Sequence, residues 1–349
     1  MVPLRTIFLL AIFWVSLSQA DDNREKTAPL FSSDDLLEVT LRGPFSTIMR
    51  ERSSDEDLPG TLTYDDPEAG DETVELGIRT RGRYRHQSRV CPWAPLRLNF
   101  KKSTTKGTVF KGSDKLKLVT HCRNGASRYT QGLLTEYLAY RIFNQMTDNS
   151  FRVRLLRITY VDTDKGNRER TELGFLIEHR DQVAKRIDLS VNSAESINVD
   201  QLNGVHLNLE SVFQYLIANT DFSPIRAAKD EPCCHNNVLF GDQDGEVLAV
   251  PYDFDMSGFV DARYATPNPR FDIRDVRDRL YRGRCVNNQY LDSSKQAYID
   301  QKQAIFELVE SNEYLSNGTR KKTVKFVDKF YDVIENTKKF KTELTDECV

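Results

Sequence analysis

The sequence predicts an α+β fold in which a β-rich amino-terminal part feeds a mainly helical carboxy-terminal part. Three observations point there. Short alternating or β-branched runs bounded by turn residues dominate the chain to about residue 180, around a single helix. Apolar residues recur at helical spacing through much of the second half. Nowhere do strands and helices alternate as βαβ, which argues against a doubly wound sheet.

The elements follow in order. Asp21 to Asp34 is polar and reads as loose. Leu36 to Leu41 alternates as a strand, and Glu51 to Pro59 is a charged loop. Thr61 to Tyr64 and Thr73 to Arg79 form a hairpin around Pro67 and Gly70. Leu96 to Phe100 and Leu116 to Thr120 continue the strands. Ser127 to Gln145 is a helix, with Leu134, Leu138 and Ile142 recurring every four residues. Arg154 to Tyr160 and Thr171 to Glu178 are strands joined by the turn Asp162 to Asn167, whose glycine and leucine positions do not fit a calcium loop. Leu209 to Asn219 is a second apolar helix. A long loop, Thr220 to His235, leads to a hairpin of Asn237 to Phe240 and Val247 to Pro251 around the Asp242 to Gly245 turn. Helices near Lys295 to Asn312 and Thr323 to Phe340 close the chain.

Residues 1–20 read as a cleavable export signal: Arg5, then an apolar run from Thr6 to Leu17, then Ser18-Gln19-Ala20. That run is short for a membrane span of about 20 residues, and no other stretch is apolar enough. The expectation is a secreted or periplasmic protein. Residues 21–35 form a flexible segment and residues 36–349 a single domain. The net charge of −3 does not point to a nucleic-acid partner. The short basic runs Arg79 to Arg85 and Lys321-Lys322 read by default as solvated faces, with a further role left open for the first. Six cysteines in an exported chain suggest disulfides among Cys91, Cys122, Cys233, Cys234 and Cys285, with Cys348 at the tail. Cys233-Cys234-His235 invites a zinc reading, but three adjacent residues do not easily wrap one tetrahedral ion.

Three polar sites surround the second hairpin. Asn219-Thr220-Asp221 follows an apolar helix, His235-Asn236-Asn237 precedes the first hairpin strand, and Asp253-Phe254-Asp255 follows the second. A hairpin brings its ends together, so Asn236 and Asp253 are expected to be neighbours. An amide oxygen beside carboxylates suits Mg²⁺ and its phosphate ligands. Asp221 would accept or orient a substrate hydroxyl, and the order Asp, Asn, Asp is that of phosphoryl transfer in kinases. Each residue taken alone also reads as a turn or cap.

Val250-Pro251-Tyr252-Asp253-Phe254-Asp255-Met256-Ser257-Gly258 resembles a segment of the spore coat protein H-like (CotH) kinases, as do Asn219 to Phe222 and His235 to Phe240. Ile78 to Gly82, Pro95 to Phe100 and Thr135 to Ala139 resemble upstream segments of that family in the same order. The resemblance spans about residues 37 to 265. It implies a bilobal protein-kinase-like fold, with an N-lobe of about residues 36–180 and a C-lobe of about 181–349. It also implies ATP with Mg²⁺ or Mn²⁺ as cofactors, and transfer of the γ-phosphoryl group to Ser or Thr of a secreted or envelope protein. Asp221 would be the catalytic Asp. Asn236 would be a metal ligand, with Asn237 as the register alternative, beside Asp253 and Asp255. Glu136 would pair with a phosphate-binding cation. A bridge between Cys91 and Cys122 would staple adjacent strands, and Cys285 would reach Cys233 or Cys234.

The chain departs from that pattern. It has no Gly-x-Gly-x-x-Gly loop, and Trp93, Ala94 and Asn99 stand where the family often has lysine. Arg79, Arg81, Arg97, Lys115 and Lys117 remain as phosphate-contacting candidates. Two other readings stay open: a pseudokinase-like structural or interaction protein, and a metal-dependent hydrolase using Asp221, Asp253 and Asp255.

Overall fold

The computed structural model describes residues 26–67, 69–227, 233–242 and 245–349. The export signal expected at residues 1–20 lies outside the described residues, as do parts of the 220–235 loop and the 242–245 turn.

Seven strands form one closed barrel: β1 (Leu37–Gly43), β2 (Leu58–Asp66), β3 (Gly70–Thr80), β4 (Leu96–Phe100), β5 (Lys115–Val119), β6 (Val153–Asp162) and β7 (Arg168–Ile177). Their order is β1-β2-β3-β4-β5-β7-β6, closing back on β1. Alternation sends Val39, Leu41, Leu62, Leu76 and Ile158 into a barrel core that also takes Leu30 and Phe31 from the preceding segment. Neighbours pair antiparallel except at the closing seam. There β1 and β6 run parallel, with Leu37 opposite Leu156 and Gly43 opposite Asp162.

This closure overturns the expected bilobal kinase-like fold. The parallel seam joins strands far apart in sequence and removes both edges of the sheet. The barrel also shares its packing with the helical part, where only a small separate cluster (Ile197, Leu202, Leu207, Leu239, Val247 and Ala249) stands apart among the described residues. Val119, Val153, Phe175 and Ile177 at the ends of β5, β6 and β7 share one apolar cluster with the helices that follow.

Helices α1 (Phe45–Glu51), α2 (Ser127–Met146), α3 (Arg180–Arg186) and α4 (Gly204–Leu216) precede the hairpin β8 (Asn237–Phe240) and β9 (Leu248–Pro251). Helices α5 (Leu291–Asp300), α6 (Lys302–Glu310), α7 (Asn317–Ile334) and α8 (Thr337–Phe340) close the chain. In α2 every residue from Leu133 to Tyr140 is buried, Glu136 included, so this central stretch runs through the interior with no solvent face, while Ser127 and Arg128 at its start are exposed. The hairpin packs on α4, where the His206 ring contacts the Ala249 carbonyl at 3.1 Å.

All six cysteines are paired. Cys91 and Cys122 are bridged as expected, with Cα atoms 4.6 Å apart. Cys285 pairs with Cys348 rather than with Cys233 or Cys234, which are bridged to each other. No thiolate is left for the zinc reading. No helix among the described residues is long and apolar enough to cross a membrane, and three disulfides are compatible with an extracellular location.

Leu41 is 1% exposed beside the seam. Leu41→Ala is expected to lower the unfolding free energy by about 3 kcal/mol, read from the urea midpoint. Glu38→Ala, on the exposed face of the same strand, should cost no more than about 1 kcal/mol.

Candidate functional site

The β8–β9 hairpin places two of the expected residues at its open end. The Tyr252 N–H donates to the Asn236 carbonyl at 3.0 Å, so Asn236 and Tyr252 extend the ladder by one step. Asn236 has φ +54° and Asp253 φ +63°. This left-handed region is costly for residues with a Cβ, and Asn and Asp tolerate it best. Interactions with other segments hold both: the Asp253 N–H donates to the Tyr140 hydroxyl of α2 at 2.8 Å, and the Asn236 Nδ2 donates to the Asp221 carbonyl at 2.6 Å.

Asp221 follows α4 and is fixed from three sides. His235 Nε2 lies 2.8 Å from its Oδ1, Asn236 Nδ2 donates to its Oδ2 at 3.2 Å, and its own N–H donates to Asn219 Oδ1 at 2.9 Å. The Asp221 hydrogen bond raises the pKa of His235, against the effect of burial. Because Asn236 uses its nitrogen towards Asp221, its oxygen is free to accept a cation.

Beside this pair, one guanidinium holds three carboxylates. Arg85, in the segment between β3 and β4, lies 3.1 Å from Glu136, 3.4 Å from Asp253 and 3.0 Å from Asp255. The Tyr264 hydroxyl donates to Asp255 at 3.0 Å. Burial works against the Arg85 charge, but Asp255 and Glu136 outweigh it and hold its pKa well above the ordinary value. One cation cannot balance three acids. Burial, reinforced by the neighbouring carboxylates, pushes Glu136 up to about 8 and Asp255 to about 6.

A row of cations faces the acids. Arg79, Arg97 and Lys117 sit directly opposite one another on β3, β4 and β5, and therefore on the same outer face of the barrel. Lys117 stands over the Tyr252 ring, 4.1 Å from its centroid. Burial, helped by the charge of Arg81, lowers its pKa to about 7, while Asp253 raises it. Arg97 is likewise lowered by burial and by Arg79 and Arg81. Arg79, at the far end of the row, is engaged with the Asp55 carbonyl and lies 3.5 Å from Asp57.

The structure thus brings Asp221, Asn236, Asp253, Asp255, Glu136 and Lys117 to one region, with Arg81 and Arg97 in electrostatic range of Lys117. Asn237 is 2% exposed beside the Glu210 carboxyl in the core, so the register choice falls on Asn236. Glu136 pairs with Arg85, not with a barrel lysine. Arg85 itself was hidden in a basic run that reads as solvated. Its only signal was the need of a buried Glu136 for a partner. Among the described residues, no three His, Cys, Asp or Glu side chains come together in a way that would hold a metal ion unaided.

The sequence matches no protein-family model, and no curated protein is significantly similar to it.

The raised acids fix a pH dependence. A carboxyl whose pKa is higher in the folded chain than in the unfolded one keeps a proton that unfolding releases. The contribution of such a group is therefore greatest at low pH and falls as pH rises from the ordinary value of 4.5 towards about 8 for Glu136. Each such group contributes a slope of about 1.4 kcal/mol per pH unit at most. With urea midpoints read at pH 5, 6, 7 and 8, wild type should lose stability relative to Glu136→Gln as pH rises through this range, because only wild type carries the raised carboxyl.

Proposed function

We propose that the protein transfers the γ-phosphoryl group of ATP, with Mg²⁺ or Mn²⁺, to a Ser or Thr hydroxyl of a protein in the secreted or periplasmic space. The observation that carries this reading is the meeting of Asp221, Asn236 and Asp253 at one hairpin end, opposite Lys117. The resemblance of these segments to the spore coat protein H-like kinases supports the same chemistry, on a fold that is not kinase-like.

The donor set fits the cation. Mg²⁺ in a phosphate complex needs only one or two protein carboxylates, the phosphates and water supplying the rest. Asp253, with a side chain 33% exposed, and the Asn236 oxygen would hold it. The unbalanced charge of the Arg85 cluster favours a second cation. Bound there, the ion would offset negative charge on the phosphates.

The remaining steps belong to the chain itself. Lys117 binds a phosphate oxygen, and that anion shifts it to the charged form. The acceptor hydroxyl oxygen forms a bond to the γ-phosphorus as the bond to the ADP oxygen breaks, and ADP leaves with the electron pair. The hydroxyl proton passes to Asp221, which His235 and Asn236 hold in place.

A second reading is favoured by Arg85. It already occupies the acids that would flank a cation, and the cavity beside it and Glu136 has a volume of only about 20 Å³. In that reading the site is a structural lock within an interaction protein.

Thermal unfolding with and without ATP and Mn²⁺ separates the two. Saturation near 100 Kd is expected to stabilise the protein by about 2.7 kcal/mol, and Asp253→Asn should abolish the shift. Labelled phosphate transfer should fall about 10²-fold or more in Asp221→Asn. A folded protein whose melting ignores the nucleotide favours the lock.

A further inference from the structure

The interior of α4 is unusually polar on the side that leads to Asp221. Glu210, Gln214 and Asn219 are 0%, 1% and 1% exposed, yet they carry amide and carboxyl groups where the helix could have placed apolar ones. Their hydrogen bonds form one directed chain. The Asp221 N–H donates to Asn219 Oδ1 at 2.9 Å. Asn219 Nδ2 donates to Gln214 Oε1 at 2.9 Å. Gln214 Nε2 donates to Glu210 Oε1 at 3.2 Å. Each amide points its oxygen towards Asp221 and its nitrogen towards Glu210, so flipping either one breaks both of its bonds. The chain has one self-consistent arrangement, and its end is the backbone of Asp221.

The turn it controls is a tight one. Ala218 takes φ +50° after the last turn of α4, and the Asn219 N–H donates to the Gln214 carbonyl at 2.8 Å. The bond from the Asp221 N–H to Asn219 Oδ1 is an Asx turn, which needs only the Asn219 side chain. The links from Asn219 back to Gln214 and Glu210 go beyond what that turn requires.

We infer that Glu210, Gln214 and Asn219 are positioning residues: a buried relay that fixes the backbone of Asp221 and so aligns its carboxylate with His235 and Asn236. Its consequence for catalysis rests on the proposed role of Asp221, but its geometry does not. Glu210 suits the terminal place because burial raises its pKa to about 8, leaving a neutral acid that accepts from Gln214 without an unpaired charge in the core.

The test reads Asp221 through its partner. His235 titrates above the ordinary 6.5 because Asp221 accepts from it, and the other charged groups facing it are Asp253 and Arg270. Imidazole resonances of the full chain, with His235 assigned by His235→Gln, give this pKa without any nucleotide. Gln214→Met cuts the relay at its centre and is expected to lower the His235 pKa towards 6.5 and to speed hydrogen exchange of the Asp221 amide. Asn219→Ala removes only the last link and should do the same, so it decides the matter if Gln214→Met does not fold. Glu210→Gln keeps the accepting oxygen and should leave both readouts at wild-type values below pH 8. Val212→Ala, a packing change on the same helix, should lower the melting temperature without moving the His235 titration. A folded Asn219→Ala protein in which His235 titrates as in wild type overturns the relay. A shifted titration in a protein with no phosphoryl transfer keeps the relay and overturns the proposed reaction. Where transfer occurs, Gln214→Met should reduce kcat and leave the KM for nucleotide unchanged.

Discussion

Glu136 is a carboxyl in the fully buried middle stretch of a helix, and the guanidinium of Arg85 is what lets it stay there. Removing such a group from water costs several kcal/mol unless a partner replaces the lost solvation. Arg85 arrives from a segment with no regular structure, so that segment must itself be fixed. Arg52 does this with hydrogen bonds to the carbonyls of His86, Cys91 and Pro92, and the Cys91–Cys122 bridge ties the same stretch to the end of β5. The guanidinium then reaches Asp253 and Asp255 beyond the hairpin. One ion pair therefore joins the barrel loop, the central helix and the segment after β9, and the position of each depends on the other two.

Local order was legible in the sequence wherever it rests on local physics. Leu96–Phe100 and Asn237–Phe240 are strands with the expected bounds, because their alternation or short apolar run is confined between turn residues. The helix from Ser127 was equally plain. Two short helices were missed. Phe45–Glu51 has too few residues to show a period, and Arg180–Arg186 starts from a His179 N-cap whose ring accepts from the Asp181 N–H, a cap that a search for Ser, Thr, Asp or Asn passes over. The single helix expected near Lys295 to Asn312 is two, broken at Gln301 without proline or glycine. The barrel closure was beyond reach for a different reason. Every strand pattern in the amino-terminal half suits an open sheet as well as a closed one. Only the parallel β1–β6 register distinguishes them, and parallel pairing leaves no turn to read.

The site divides in the same way. The nearness of Asn236 and Asp253 was legible because a hairpin brings its own ends together, whereas Asp221 joins them from the end of α4, outside the hairpin. Asn237 lost to Asn236 through simple alternation: adjacent strand residues face opposite sides, and Asn237 faces the core. Arg85 and the relay in α4 were not visible. The partners of Arg85 come from segments distant in the chain, and the contacts near α4, though local, depend on which way each buried amide points.

The two charged clusters explain why such a site would bind a ligand at all. On the barrel face, Lys117 and Arg97 are depressed by burial and by the neighbouring arginines. Across Tyr252, Glu136 and Asp255 are raised by burial and by one another's neighbours. Both sets are held away from their ordinary charged forms, and neither is relieved by the other beyond the influence of Asp253 on Lys117. A ligand relieves both only if it carries negative charge towards the barrel and positive charge towards the acids. A phosphate anion with a divalent cation meets that condition, whereas a simple anion leaves the acids unbalanced and a simple cation leaves the lysine depressed. The requirement for opposite charges on one ligand is a stronger argument for a metal–phosphate complex than any single side chain here, because it follows from the electrostatic state of the whole site.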